Sequence, residues 1–145
     1  MSIKTNTKSV IKALESKGKK GIEEIQIATY ANAKDIELNA KANAPIDNGD
    51  LKKSITTQKL DKKGFAYRIL VGMLYGAYQE FGTGKKVDLS YLVQAGFSKS
   101  EALKYKGKGI KEVNIMPQPY LFPAFIKGKT QYIKDLKTAL KRLTK

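Results

Sequence analysis

Three stretches of the sequence carry residue types that could do chemistry. Asp47 lies in a Pro-Ile-Asp-Asn-Gly loop, where a carboxylate could serve acid–base hydrolysis. The stretch Gly82-Thr83-Gly84-Lys85-Lys86 is rich in glycine and ends in lysine, a pattern that could cradle a phosphate. Aromatic side chains near these glycines could stack nucleic-acid bases; they are Tyr75, Tyr78, Phe81, Tyr120, Phe122 and Phe125.

Each of these interpretations has a simpler structural alternative. Hydrolysis of the aspartic-protease type needs two carboxylates that share a proton, and the sequence offers only one such loop. A turn explains that loop, because Asp47 can accept backbone hydrogen bonds and Gly49 can take a positive φ. The Gly82–Lys86 stretch lacks the full spacing of a phosphate-binding loop. Apolar neighbours of the aromatics favour packing in a core or a subunit interface.

Two residue types are missing from the 145 residues, cysteine and histidine. Their absence removes thiol catalysis, disulfides, cysteine-bound metal and the commonest general base. Acidic residues do not cluster at metal-ligand spacing, so we expect no metal, no cofactor and no enzyme. No apolar run approaches the roughly 20 residues that span a bilayer, so no membrane partner is expected.

Charge is the one extreme property of the composition. Lys plus Arg number 28 against 13 Asp plus Glu, a net charge of +15, and nearly all of the basic residues are lysines. Such a field attracts nucleic acid or acidic protein surfaces. Lysine is a poor reader of base sequence, because bidentate base contacts usually use Arg. Solvated helix faces and a basic nucleic-acid-binding module without enzymatic activity both stay open.

Hydrophobic periodicity predicts the elements that position these residues. A short helix is predicted over 8–17, and a long helix from about 22 to 43 ends before Pro45. The inward stripe of the long helix is predicted as Ile22, Ile25, Thr29, Asn32 or Ala33, Ile36 and Ala40. Strands over 54–60 and 65–73 alternate with period two and form a hairpin through Gly64.

The second half of the chain is less regular. Residues 75–81 fit either a short helix or a strand, and residues 85–114 form a flexible excursion. A terminal helix is predicted with Pro123 in its first turn and apolar positions at Ile126, Thr130, Ile133, Leu136, Leu140 and Leu143. The predicted fold class is α+β in a single domain over 1–145. A small antiparallel sheet, the hairpin plus one or two further strands, is packed by the long helix and the C-terminal helix.

Three motifs follow one another along the chain. They are Ala42-x-Ala44-Pro45-x-Asp47-x-Gly49-x-Leu51-x-x-Ser54-Ile55, Tyr75-x-x-Tyr78-x-Glu80-Phe81-Gly82-Thr83 and Met116-Pro117-Gln118-Pro119-Tyr120-Leu121-x-Pro123-Ala124. In this order they resemble the neck or tail-completion proteins of long-tailed bacteriophages and prophages, a family typified by the tenth gene product of a lambda-like phage. The resemblance covers roughly residues 8–84 and 115–145. Residues 85–114 stand where the family commonly has only a few residues.

The resemblance implies a non-enzymatic virion protein at the head–tail junction, made in the cytoplasm of the host bacterium. It implies a homo-oligomeric ring, of about six or twelve copies, around the channel through which DNA passes without sequence-specific binding. The implied partners are a connector or head-closure protein on one side and a tail-terminator or tail-tube protein on the other. We expect the insertion at 85–114 to be mobile in the monomer and to become ordered against an adjacent subunit.

The motif residues are the candidates for structural or interface roles: Pro45, Asp47, Gly49, Leu51, Ser54, Tyr75, Tyr78, Glu80, Phe81, Gly82, Thr83, Pro117, Pro119, Tyr120 and Pro123. Glu80 is expected either to contact a partner at the surface or to cap the N-terminus of a helix. Pro117 and Pro119 predict an extended arm, which Tyr120 and its neighbours could anchor against the sheet or against another subunit.

Overall fold

The computed structural model describes residues 2–6, 11, 18–47, 49–104 and 114–143. The strands are β1 (Ser2–Asn6), β2 (Ile55–Lys59) and β3 (Ala66–Val71). The helices are α1 (Lys19–Asn43), α2 (Asp50–Ser54), α3 (Gly76–Phe81), α4 (Ser90–Gln94), α5 (Lys99–Lys104) and α6 (Leu121–Leu143). The fold is α+β, as predicted. The helix predicted over 8–17 lies outside the described residues apart from Ile11.

The three strands form one antiparallel sheet in the order β1-β3-β2. Tyr67, Ile69 and Val71 of β3 are buried and the residues between them are half-buried, which confirms the predicted alternation. The predicted hairpin joins β2 to β3. Its loop is held by the Asp61 carboxylate, which accepts the N–H groups that begin the second strand, and Gly64 has a φ of 83°.

Helix α1 covers the sheet with the stripe that the periodicity predicts. Its buried residues are Gly21, Ile25, Thr29, Asn32, Ala33, Ile36, Glu37 and Ala40. Two buried polar side chains on this stripe bond to α6: the Thr29 and Tyr132 hydroxyls are 2.8 Å apart, and Asn32 Nδ2 donates to the Gly128 carbonyl at 2.8 Å. The two helices therefore run antiparallel, since residues later in α1 meet residues earlier in α6.

The buried face of α6 differs from the predicted one. Thr130 and Ile133 were expected to point inward and are exposed, so that part of the prediction is wrong. The buried positions are Leu121, Phe122, Ala124, Phe125, Gly128, Tyr132, Leu136 and Ala139. The helix turns this way because Gly128 permits close approach to α1, where any added Cβ would collide with Ile36. A prediction from the spacing of apolar residues does not mark such a glycine as a buried contact.

Residues of the insertion pack within the same chain. Leu92 of α4 and Ala102 of α5 are buried in the main hydrophobic core, and Ala95 joins them. The Phe97 ring meets Phe122 edge to face, with ring centroids 6.1 Å apart. Part of the apolar surface of this segment is thus buried within the chain, a placement that the sequence did not indicate.

Over the described ranges, no helix combines the length and the apolar character needed to cross a membrane.

Candidate functional site

The centre of the site is a carboxylate that caps a helix. Glu80 is carried by α3 and is 1% exposed. Its Oε2 atom accepts the backbone N–H groups of Tyr120 and Leu121 at 2.8 Å each, and its Oε1 accepts the N–H of Phe122 at 2.9 Å. These N–H groups lie at the start of α6, where a helix leaves donors without internal partners. Of the two roles that the sequence left open for Glu80, the structure shows the helix cap.

The protonation of Glu80 is governed by two opposing effects. Burial raises the pKa of its carboxyl, because a charged group loses its hydration, and the three N–H bonds partly offset that rise. The positive end of the α6 dipole also favours a negative charge at this place. Both carboxylate oxygens accept N–H groups of the chain, so the described contacts of Glu80 are those of a structural cap.

Tyr120 also joins the start of α6 to α3, through its side chain. Its ring is fully buried, and its hydroxyl donates to the carbonyl of Gly76 at 3.1 Å. Burial, followed by the negative charge of Glu80, raises the pKa of this phenol, which therefore stays protonated as a donor. A Cβ on Gly76 would lie 2.7 Å from that hydroxyl, so the close approach requires glycine.

The extended arm that precedes α6 is bonded to the end of α3. The N–H of Gln118 donates to the Gln79 carbonyl at 2.7 Å, and Thr83 exchanges two bonds with Ile115 at 2.9 and 3.0 Å. Gly82 adopts a φ of 74°, and a side chain there would meet the Ile115 carbonyl at 2.7 Å. The second and third motifs are thus one hydrogen-bonded unit, and the arm is anchored within the chain.

The first motif reaches this unit through Leu51. Leu51 is buried in the main core beside Gly76, where a Cβ would lie 3.2 Å from its Cδ1 atom. The Ser54 hydroxyl donates to the Leu51 carbonyl at 2.8 Å, and Gly49 takes a φ of 74° just before α2. Asp47 is exposed. With Pro45, Gly49, Leu51, Tyr75 and Gln79 it borders a depression of about 10 Å³, which holds no more than about one water molecule.

The Gly82–Lys86 stretch does not form a phosphate cradle. Most of its backbone donors are used inside the chain: the N–H of Thr83 bonds Ile115, that of Lys85 bonds the Asn114 side chain at 2.9 Å, and that of Lys86 bonds Thr83. A phosphate loop needs these N–H groups to point at the ligand. Here they close a turn.

The aromatic side chains are mostly core residues. Phe81, Tyr120, Phe122 and Phe125 are buried, and the rings of Phe81 and Phe122 lie 5.6 Å apart. They cannot stack bases without unfolding this part of the chain. Among the described residues, no group of three or more acidic side chains is placed to hold a metal ion.

Exposed large apolar residues stand next to motif residues in the chain, and the sequence did not indicate that they are exposed. Ile46 is 84% exposed next to Pro45, Leu74 is 94% exposed next to Tyr75, and Met116 is 59% exposed next to Pro117. Each follows or precedes a motif residue whose place is fixed. The signal in the sequence was the position of a large apolar residue inside a turn, beside proline or a helix start, rather than on a periodic stripe.

Comparison with known proteins gives one family. The family model named HK97-gp10-like, described as a proposed tail component of bacteriophage HK97, matches residues 8–82, just over half of the chain. The matched range contains the first motif and nearly all of the second. Neither the curated proteins nor the solved structures contain a significant match to the chain.

Proposed function

The chain belongs to the HK97-gp10-like family of bacteriophage tail components, and from that premise we propose that it acts at the head–tail junction. It is a structural protein of the virion. In the proposed role it forms a homo-oligomeric neck or tail-completion ring around the DNA channel, between a connector or head-closure protein and a tail-terminator or tail-tube protein. Its action is assembly and not catalysis.

The observation that carries the proposal is the convergence of the three motifs on one buried unit. Glu80, Tyr120 and Leu51 come from the three motifs, and each uses its polar or apolar groups inside the chain. Such an arrangement fixes the geometry of the surrounding loops, because the polar groups of the unit are engaged in hydrogen bonds with the chain itself. A frame whose described motif residues bond and pack within the chain suits a building block of the virion.

The exposed residues around this unit supply a contact surface. We define the rim as Ile46, Leu74 and Met116, whose side chains are mostly in solvent in the single chain. Large apolar residues held on fixed turns lose little conformational entropy on binding, which favours protein contacts. The rim is the proposed contact with a neighbouring subunit or the next virion protein.

Virions assembled with altered chains test this surface. The phage's own copy of the gene is deleted, and the variant gene is supplied in trans. Ile46→Asp and Leu74→Asp are expected to leave the fold intact and to abolish infectious virions. The matched controls are Ile27→Asp and Leu38→Asp, which change similarly exposed residues on α1 (68% and 59%). Circular dichroism and thermal unfolding of each purified variant establish folding. An equal loss of infectious virions with the rim variants and with the α1 controls, or normal virions with the rim variants, would contradict the proposed contact surface.

The insertion belongs to the same single domain in our proposal, and it also becomes more ordered on assembly. Val93 and Leu103 remain exposed on α4 and α5, and helices of five and six residues have little stability of their own. Amides of residues 90–104 are expected to exchange faster than those of α1 in the isolated protein and to slow down in virions. Protection equal to that of α1 in a proven monomer would show that the segment needs no neighbour.

A further inference from the structure

The outward face of α6 carries a line of lysines, and we propose that it contacts the phosphate backbone of double-stranded DNA. The inference deepens the proposed ring function, on which its biological meaning rests, by naming the part of the chain that faces the DNA. Its chemistry is that of a non-specific polyanion site. We call this surface the lysine face and define it as Lys127, Lys134, Lys137 and Lys141.

Helical spacing places the four lysines together. Separations of 7, 10 and 14 residues along α6 keep them within one side of the helix. That side lies opposite the buried positions, such as Gly128, Tyr132 and Leu136, and all four lysines are exposed. At 1.5 Å per residue the line extends over about 21 Å. A duplex of that length presents about twelve phosphate charges.

The residues between the lysines suit the same ligand. Thr130, Gln131 and Thr138 are exposed on this side of the helix and are uncharged, so they do not repel a polyanion. The two threonine hydroxyls donate within the helix, to the carbonyls of Ile126 and Lys134, so the lysines supply the contacts to phosphate. The one acidic residue of this helix, Asp135, is half-buried and accepts a hydrogen bond from the Gln131 amide at 2.8 Å. It lines the groove toward α1 with Glu24 and Ala28, so it does not lie in the line of lysines.

Duplex DNA fits the lysine face better than an acidic protein does. The cores of protein interfaces are enriched in aromatic residues, Met and Arg and are depleted in Lys. Among the described residues of α6, the large apolar side chain that is exposed beside the lysines is Ile133, 43% exposed at the edge of the face. Lysine binds phosphate as a flexible point charge, which holds DNA without reading its sequence.

The test measures binding of the full chain to a 30-base-pair duplex as salt is varied. The variant replaces all four lysines of the lysine face by Gln, a residue that keeps helix propensity. The matched control replaces Lys52, Lys53, Lys59 and Lys62 by Gln, exposed lysines of α2 and the hairpin. Both variants lower the net charge by the same four units. Thermal unfolding confirms that each variant is folded.

Counterion release sets the expected result. A plot of the logarithm of the DNA association constant against the logarithm of the salt concentration has a negative slope. The magnitude of this slope is expected to decrease by about 3 in the lysine-face variant and by less than about 1 in the control. Binding at 50 mM salt is expected to weaken by about tenfold or more in the first variant only. Equal changes in both variants would show diffuse attraction by net charge and would overturn the inference.

Polyglutamate of matched length serves as the second probe. If the lysine-face variant loses polyglutamate binding as strongly as duplex binding, the face is a general acidic-surface contact and the DNA assignment fails. The assay needs no virion. If the rim variants assemble normal virions but the lysine-face variant still loses DNA binding, the chain binds DNA and the proposed place in the neck is wrong. The failure of the proposed function and the failure of this inference are therefore distinguishable.

Discussion

Among the residues that the structure describes, two carboxylates are buried, and they are held in opposite ways. Glu37 lies at the edge of the sheet, where its oxygens accept the ammonium groups of Lys34 and Lys41 at 2.7 and 2.6 Å and the N–H of Thr57 at 2.9 Å. Glu80 lies inside the buried unit that the three motifs form, which we call the motif unit, and its oxygens accept the three backbone N–H groups that begin α6. One carboxylate is balanced by charges and the other by peptide dipoles.

The difference appears in how each group titrates. Burial by itself would raise the pKa of Glu37, but hydrogen bonds from the two lysines and Thr57 outweigh it and lower the pKa to about 2. For Glu80 burial wins, and the pKa lies above the ordinary value of 4.5. Flexible lysine side chains can move to neutralise the charge of Glu37, whereas the Glu80 carboxylate depends on backbone N–H groups whose positions are fixed by the fold.

Their structural tasks differ as well. Glu37 covers an N–H of β2, an edge strand, at a point where another chain could otherwise pair with the sheet. Glu80 ties the start of α6 to α3, elements that are separated by the whole insertion. We infer that Glu37 protects a surface and that Glu80 holds the fold together.

Removing Glu80 is expected to produce the largest effect. Glu80→Ala leaves three buried N–H groups without an acceptor, and each costs about 1–3 kcal/mol, so the free energy of unfolding should fall by about 3 kcal/mol or more. Urea denaturation measures it, with Glu80→Gln as a milder variant that keeps one acceptor oxygen. Exposed Glu23→Ala is the control and should change stability by less than about 0.5 kcal/mol. A Glu80→Ala cost no greater than that of Glu37→Ala would break the comparison.

Crowding the motif unit is expected to be the next largest effect. In Gly76→Ala the new Cβ lies 2.7 Å from the Tyr120 hydroxyl and 2.8 Å from Val71 Cγ1, so about 1–3 kcal/mol of stability should be lost. Gly72→Ala is the control, because its nearest neighbour is Ser54 Cβ at an ordinary 3.5 Å. Thermal unfolding of the two variants reports the difference. Equal melting temperatures would mean that the close approach at Gly76 does not constrain the fold.

The pH dependence of stability is expected to be the smallest effect and to separate the two carboxylates by sign. Glu37 has a lowered pKa, so its contribution is present above pH 4.5 and is lost as pH falls toward 2. Glu80 has a raised pKa, so stability falls as pH rises above 4.5 through its folded value. Urea midpoints at intervals from pH 2 to 7 should show a flatter acid limb in Glu37→Gln and a flatter upper limb in Glu80→Gln. Identical profiles in both variants would contradict the assignment.

Much of the fold follows from local patterns in the sequence. The α1 stripe and the β2–β3 hairpin repeat with clear periods, and a turn with Gly64 joins the strands, so both were predicted with their inward residues. Residues 75–81 fitted two periods, and tertiary contacts decided for a helix, since Tyr120 and the first motif pack on it. The face of α6 was set by a glycine contact, which no hydropathy pattern records.

The site was only partly accessible to sequence reasoning. The motif residues were singled out, and capping by Glu80 was one of two alternatives, but its partners lie 40 to 42 residues away along the chain. No local rule selects partners at that separation. The exposure of the rim was not predicted for a different reason: Ile46, Leu74 and Met116 are not periodic with any element, and only the folded chain shows that they remain in solvent.

Electron microscopy of purified virions tests the central claim most directly, that this chain is a structural ring at the head–tail junction. The reconstruction must resolve the junction well enough to trace α1 and α6. We predict a closed ring of this chain coaxial with the DNA channel, with the rim at a protein contact and the lysine face toward the DNA. Absence of the chain from virions, or its presence only elsewhere in the tail or capsid, would contradict the account.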